Sequence, residues 1–201
     1  MPKSLLWTLI IILGVGLVSL SLRSKKEEAN LKEIWNDPSI FGKSVLSAKQ
    51  LDQYVKRINP NAPNLGSYYI EWGNYYGIRG DVAFAQSIHE TGWFRFGGDV
   101  VPEQNNYAGI GATGGGTRGH YFRTPEEGVI GQMQHIYAYA TSKPLPESQP
   151  IVDPRFHLVR RGSAPTWPDL DGKWAVPGVG YGNRILNIWR EMVIYFGLYK
   201  P

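Results

Sequence analysis

The stretch "QSIHETGWFRFGG", Gln86 to Gly98, concentrates reactive residue types: a His-Glu pair, a Gly-Trp pair and two further aromatics in thirteen residues. Three chemistries compete for it: half of a metal site, a carboxyl acid, or a plain helix end. A zinc protease helix needs His-Glu-x-x-His, so that two imidazoles one turn apart hold one ion. Here His89-Glu90 runs into Thr91-Gly92-Trp93, and His120, His135 and His157 show no ligand spacing. No metal and no cofactor is expected.

Glu90 carries the better case. At 100° per residue Gln86 and Glu90 share one helix face, while Val82, Phe84, Ala85 and Ile88 cover most of the rest. A helix that is apolar nearly all round is buried. A carboxyl at its C-terminal end meets desolvation and the negative end of the helix dipole, and both favour the protonated form. A carboxylic acid that keeps its proton near neutral pH is what a general acid for glycosidic cleavage requires. The opposing reading is a surface Glu paired with Arg95. Physical chemistry alone leaves these two open.

The elements that must position Glu90 follow from periodicity and punctuation. A helix is expected in "SAKQLDQYVKRINP", stopped by Pro60, and another in "NLGSYYIEWGNYYG", closed by Gly77. "GDVAFAQSIHETG" is a third, with Asp81 as N-cap and Gly92 just past its end. Gly97 to Gly119 reads as loops with at most a short hairpin. Its "GIGATGGGTRG" lacks the Gly-Lys-Ser/Thr of a phosphate loop, so these glycines serve close backbone approach or a flap. Thr124-Pro125 and Glu127 open a clear helix with a capping box. A last helix presents Ile185, Ile188, Trp189, Met192 and Phe196 on one face. The fold expected is mainly α (α+β): a helical body with a small β-hairpin or loop lobe.

Composition narrows the function. With no cysteine, disulfides, thiolate metal sites and thiol catalysis are excluded. The pI of about 9.2 hints at nucleic acid. That excess is local to the N-terminus. Lys3, Arg23, Lys25 and Lys26 flank the eighteen uncharged residues Leu5–Leu22, and beyond residue 26 basic and acidic residues balance at 17 each. Nucleic acid therefore loses its electrostatic driving force and is not an expected partner. Residues 1–26 read as an export segment, an uncleaved anchor being favoured over a cleaved signal. The chain is thus expected outside the cytoplasm, held to the membrane through residues 5–22 or secreted to the cell wall. Residues 27–46 read as a charged connector, and the folded domain is expected over 47–201.

"GIRGDVAFAQSIHETGWFRFGG…QNNYAGIGATGG" resembles the catalytic core of bacterial glucosaminidases, the glycoside hydrolase family 73 group of peptidoglycan hydrolases. Ala85-Gln86 and Glu90-Thr91-Gly92-Trp93 match its helix-end motif, and Asn105-Asn106-Tyr107-Ala108-Gly109-Ile110 its Asn-Asn element. Phe122 to His135 and "GKWAVPGVGYGNRI" match later segments. The resemblance implies a lysozyme-like fold and cleavage of the β-1,4 bond between N-acetylglucosamine and N-acetylmuramic acid in peptidoglycan glycan strands. It implies Glu90 as general acid. Gln86, Asn106, Tyr107 and Tyr181 are expected at the substrate, as are Phe94 and Phe96 by stacking, while Trp93 is expected under the cleft in the core.

There is a departure from the family pattern. Many members carry a second carboxylate after the Asn-Asn element, yet Gly111 to Phe122 contains no Asp or Glu. Glu103, on a loop before it, is one candidate substitute. Otherwise the substrate's own N-acetyl group acts as nucleophile, with Tyr181 orienting it. Two rivals remain: a lytic transglycosylase, which also works with a single acid, and a non-catalytic glycan-binding protein that uses the aromatics alone.

Overall fold

The computed structural model describes residues 27–112, 114–146 and 149–201. The expected export segment lies outside these residues. Among the described residues no helix is long and apolar enough to cross a membrane. The described residues divide into two compact units, one of 27–37 with 197–201 and one of 38–196. In the first, residues 27–36 form helix α1, longer than the connector reading allowed, and the Trp35 ring lies 4.8 Å from that of Tyr199.

The second unit starts before Ser47. Ile40 is fully buried, Phe41 bridges to Ile78, and the Val45 and Leu46 N–H groups donate to Asp81 Oδ2 at 2.8 and 3.2 Å. Its helices are α2 (Ala48–Lys56), α3 (Gly66–Tyr76), α4 (Gly80–Glu90), α5 (Pro125–Ala140) and α6 (Tyr181–Tyr195). Helix α4 is the centre, packed by α2, α3 and α6. Every residue from Gly80 to Ile88 is buried, as its all-round apolar pattern requires. Burial on all sides demands small residues where helices cross. A Cβ on Gly80 would stand 2.1 Å from the Tyr69 carbonyl oxygen, so α3 and α4 approach to backbone contact.

Asp81 does not cap α4. Arg79 occupies the N-cap, and the Asp81 carboxylate instead joins residues 45–46 to α6 by accepting from Trp189 Nε1 at 2.9 Å. A buried carboxylate needs several donors; the neighbouring Val82 N–H supplies one at 3.0 Å, and tertiary neighbours supply the rest. Thr124 caps α5 as expected, accepting from the Glu127 N–H at 3.1 Å. The Glu127 carboxylate reaches back to the N–H of Arg123, one residue before the cap.

The Gly-rich lobe has a single bridge, Gly114 to Thr117, among its described residues, so its hairpin is minimal. Side-chain amides take the place of a strand ladder. Gln104 Nε2 donates to the carbonyls of Arg118, Gly119 and His120 at 3.0, 3.2 and 3.4 Å. Asn105 Nδ2 donates to Phe122 O, and Asn106 both donates to Ile110 O and accepts its N–H. Ala108, Ile110 and Phe122 form a small apolar cluster with Trp174 against it.

Candidate active site

Helix α4 ends at Glu90, and residues 91–96 turn the chain away and open a cleft. Thr91 caps the helix, its hydroxyl donating to Ser87 O at 2.6 Å and accepting the Phe94 N–H at 2.9 Å. Gly92 takes a left-handed φ of +56°, and Trp93, Phe94 and Phe96 adopt +64°, +55° and +57°. Left-handed backbone at non-glycine residues costs about 1–2 kcal/mol each, so tertiary contacts must hold this turn. The Trp93 and Phe96 N–H groups donate to Ile88 and Thr91 carbonyls, Trp93 stacks on Tyr54, and Phe94 packs between Phe84 and Tyr107.

The cleft so formed has a volume of about 710 Å³, within the range typical of ligand sites. Its charged lining residues are Glu90, Asp99 and Arg155. Phe96, Asn106 and Trp174 also face it. Glu90 is half-buried at its inner end. Desolvation pushes its carboxyl up to about 7, against smaller opposing pulls from hydrogen bonds to Tyr181 and Trp174. Arg95 is not its partner, because the Arg95 guanidinium donates to Ile58 O at 2.7 Å.

Behind Glu90 runs a directed line of hydrogen bonds. Tyr69 Oη donates to Gln132 Oε1 at 2.5 Å. Gln132 Nε2 donates to Gln86 Oε1 at 2.9 Å and to Ala83 O at 3.0 Å. Gln86 Nε2 donates to Tyr181 Oη at 2.8 Å, and Tyr181 Oη donates to Glu90 Oε1. A hydroxyl has one proton. Since Tyr181 accepts from Gln86, its proton goes to Oε1. The carboxyl's own proton therefore belongs on Oε2, the oxygen beside Gly109 of the cleft wall. The arrangement can deliver a proton into the cleft.

Of the residues expected from sequence, Glu90, Phe96 and Asn106 line this cleft. Asn106 is nonetheless fully buried, with its amide holding the lobe. Gln86 and Tyr181 lie behind the cleft instead of in it, at 0% and 1% exposure, with their polar atoms spent on one another, Gln132 and Glu90. Tyr181 is thus not placed to orient an N-acetyl group. Phe94 and Tyr107 are buried against each other beside a second, shallower groove. Glu103 does not reach the cleft: it sits exposed in the 3-10 turn Pro102–Gln104, where the chain needs a polar surface residue. Sequence reasoning missed Asp99, Gln132, Arg155 and Trp174. Trp174 falls inside the matched "GKWAVPG" segment; the others carried no local signal.

A single half-buried acid at the end of a central helix, facing a cleft walled by a small lobe, defines the lysozyme-like class of helical glycosidase domains. Residues 66–192 match the family model Glucosaminidase, mannosyl-glycoprotein endo-beta-N-acetylglucosaminidase, and the chain belongs to that family. It is also 36% identical over 163 residues to an uncharacterized protein of Borreliella burgdorferi, covering 79% of this chain and 78% of that one.

Proposed function

We propose that this protein is an exported peptidoglycan hydrolase that cleaves the β-1,4 bond from N-acetylglucosamine to N-acetylmuramic acid, with Glu90 as general acid. The observation that carries the reading is the Glu90 carboxyl itself, raised to about 7 and bonded from behind through Oε1. Glu90 gives the Oε2 proton to the leaving O4 of the muramyl sugar as the C1–O4 bond breaks. General acid catalysis of this kind contributes about 10²–10⁴-fold. In this reading residues 1–26 serve for export and hold the domain to the membrane, supported by their uncharged run and basic flanks.

The water that adds to C1 needs a base. Asp99 is the second carboxylate of the cleft, and one of its oxygens is fixed by the Gly116 N–H at 2.9 Å. The other is left to take the proton from water, the inverting scheme of two carboxylates. Asp99→Asn is expected to lower kcat by about 10²-fold, whereas Glu103→Gln leaves it within about twofold. Equal turnover in wild type and Asp99→Asn would instead assign attack at C1 to the substrate's own N-acetyl group, acting as nucleophile.

Mass spectrometry of digested peptidoglycan tests the function. New reducing-end N-acetylglucosamine supports hydrolysis at this bond. Anhydro-muramyl ends would make the protein a lytic transglycosylase, and no new ends a glycan-binding protein.

A further inference from the structure

A smaller pocket of about 130 Å³ opens off the cleft, with Ala108, Gly109, Ala112, Arg155 and Trp174 common to both. Its ionisable lining residues are His135, Tyr139, Arg155 and Lys173, with no Asp or Glu among them. The Lys173 ammonium is turned to the Asp169 carbonyl at 2.6 Å. Arg155 is different. Its backbone N–H is fixed by Asp153 Oδ1 at 2.9 Å, but its exposed guanidinium has no hydrogen bond or ion pair among the described residues. Asp153 does not neutralise it by pairing, since its other oxygen is held by His135 Nδ1 at 2.7 Å and the residue is buried. Arg155 also has no part in setting Glu90, whose shift comes from burial, Tyr181 and Trp174.

A neutral N-acetylhexosamine chain offers such a cation only uncharged acceptors, whereas a planar guanidinium matches a carboxylate in charge and shape. We propose that this side pocket is a carboxylate subsite, with Arg155 recognising an acid group carried by the muramyl residue. The inference rests on the hydrolase reading above. Two sources share that chemistry: the free lactyl carboxylate of peptide-stripped strands and the carboxylates of the stem peptide.

The test compares the full chain with its Arg155→Gln and Arg155→Lys variants on four substrates. These are intact strands, strands stripped by an amidase, stripped strands with their lactyl carboxylates converted to methylamides, and N-acetylglucosamine oligomers. For Arg155→Gln, kcat/KM should fall about tenfold on carboxylate-bearing strands, in line with the loss of a charge-assisted bond, and stay unchanged on the two neutral substrates. Arg155→Lys should fall between, keeping the charge without the fork. A loss on stripped strands assigns the lactyl group, and a loss on intact strands alone assigns the stem peptide. Equal rates for wild type and Arg155→Gln on every charged substrate, or an equal drop on charged and neutral ones, overturns the subsite while leaving the hydrolase reading intact. A wild type that cuts none of the four overturns both.

Discussion

Glu90→Gln should cut turnover on purified cell wall by about 10²–10⁴-fold while leaving wall binding unchanged. Gln keeps the shape and still offers Oε1 to the Tyr181 hydroxyl, so what is lost is the transferable proton. In the wild type the acid must be protonated to act. With its carboxyl at about 7, activity should fall as pH rises through that value. Stability carries the same signature with a definite sign. Folding raises this group from 4.5 to about 7, so the folded state resists its ionisation. The contribution is full below about 4.5, declines as pH rises to about 7, and then levels off. Allowing for screening at the cleft edge, the loss is about 2–3 kcal/mol. Glu90→Gln, which never ionises, should melt several degrees above wild type at pH 8 and level with it at pH 4. Identical melting at both pH values would mean that Glu90 is freely ionised in the fold, and the acid role would go with it.

Gln132→Leu should be strongly destabilising. Gln132 is fully buried on α5 and holds Tyr69, Ala83 and Gln86 together. Leucine fills the space but leaves Gln86 Oε1 without a donor and takes an acceptor from Tyr69. Each buried polar group so stranded costs about 1–3 kcal/mol, giving roughly 2–5 kcal/mol in total. The effect extends to chemistry. Without Gln132, the Gln86 amide is free to turn, and Tyr181 loses the partner that directs its proton onto Glu90. That bond favours ionised Glu90, so weakening it should move the alkaline limb of the pH–rate profile upward. Chemical denaturation and a pH profile at a temperature where the variant stays folded separate the two consequences. A large stability loss with an unmoved pH limb would show the line of bonds to be structural only.

Much of this was legible from local pattern. Apolar residues all round α4 foretold its burial and Thr124-Pro125 marked the start of α5, while the same pattern left Glu90 open between a protonated acid and a partner of Arg95. What escaped depends on chain segments far apart. Gln132 is 46 residues from Gln86, and nothing in its own helix distinguishes it from a surface glutamine. Asp81 has the sequence of a cap and the work of a tertiary clamp, because beyond the adjacent Val82 N–H its donors come from residues 45, 46 and 189. Glu103 adjoins the Asn-Asn element, but its side chain is exposed and does not line the cleft. The 3-10 turn faces it outward, while Asp99, before that turn, reaches the cleft. The left-handed turn after Gly92 carries aromatics at positions where sequence alone favours glycine.

The lobe wall, stitched by the amides of Gln104, Asn105 and Asn106 with one short bridge, differs in mechanical character from α4. The acid stands at the end of a helix buried from Gly80 to Ile88, and Asp99 is tied to a segment that can open for the cost of a few exposed bonds, well below the cost of global unfolding. Activity and helicity therefore part company under mild denaturant: the two carboxylates lose their register while the helical body is still intact.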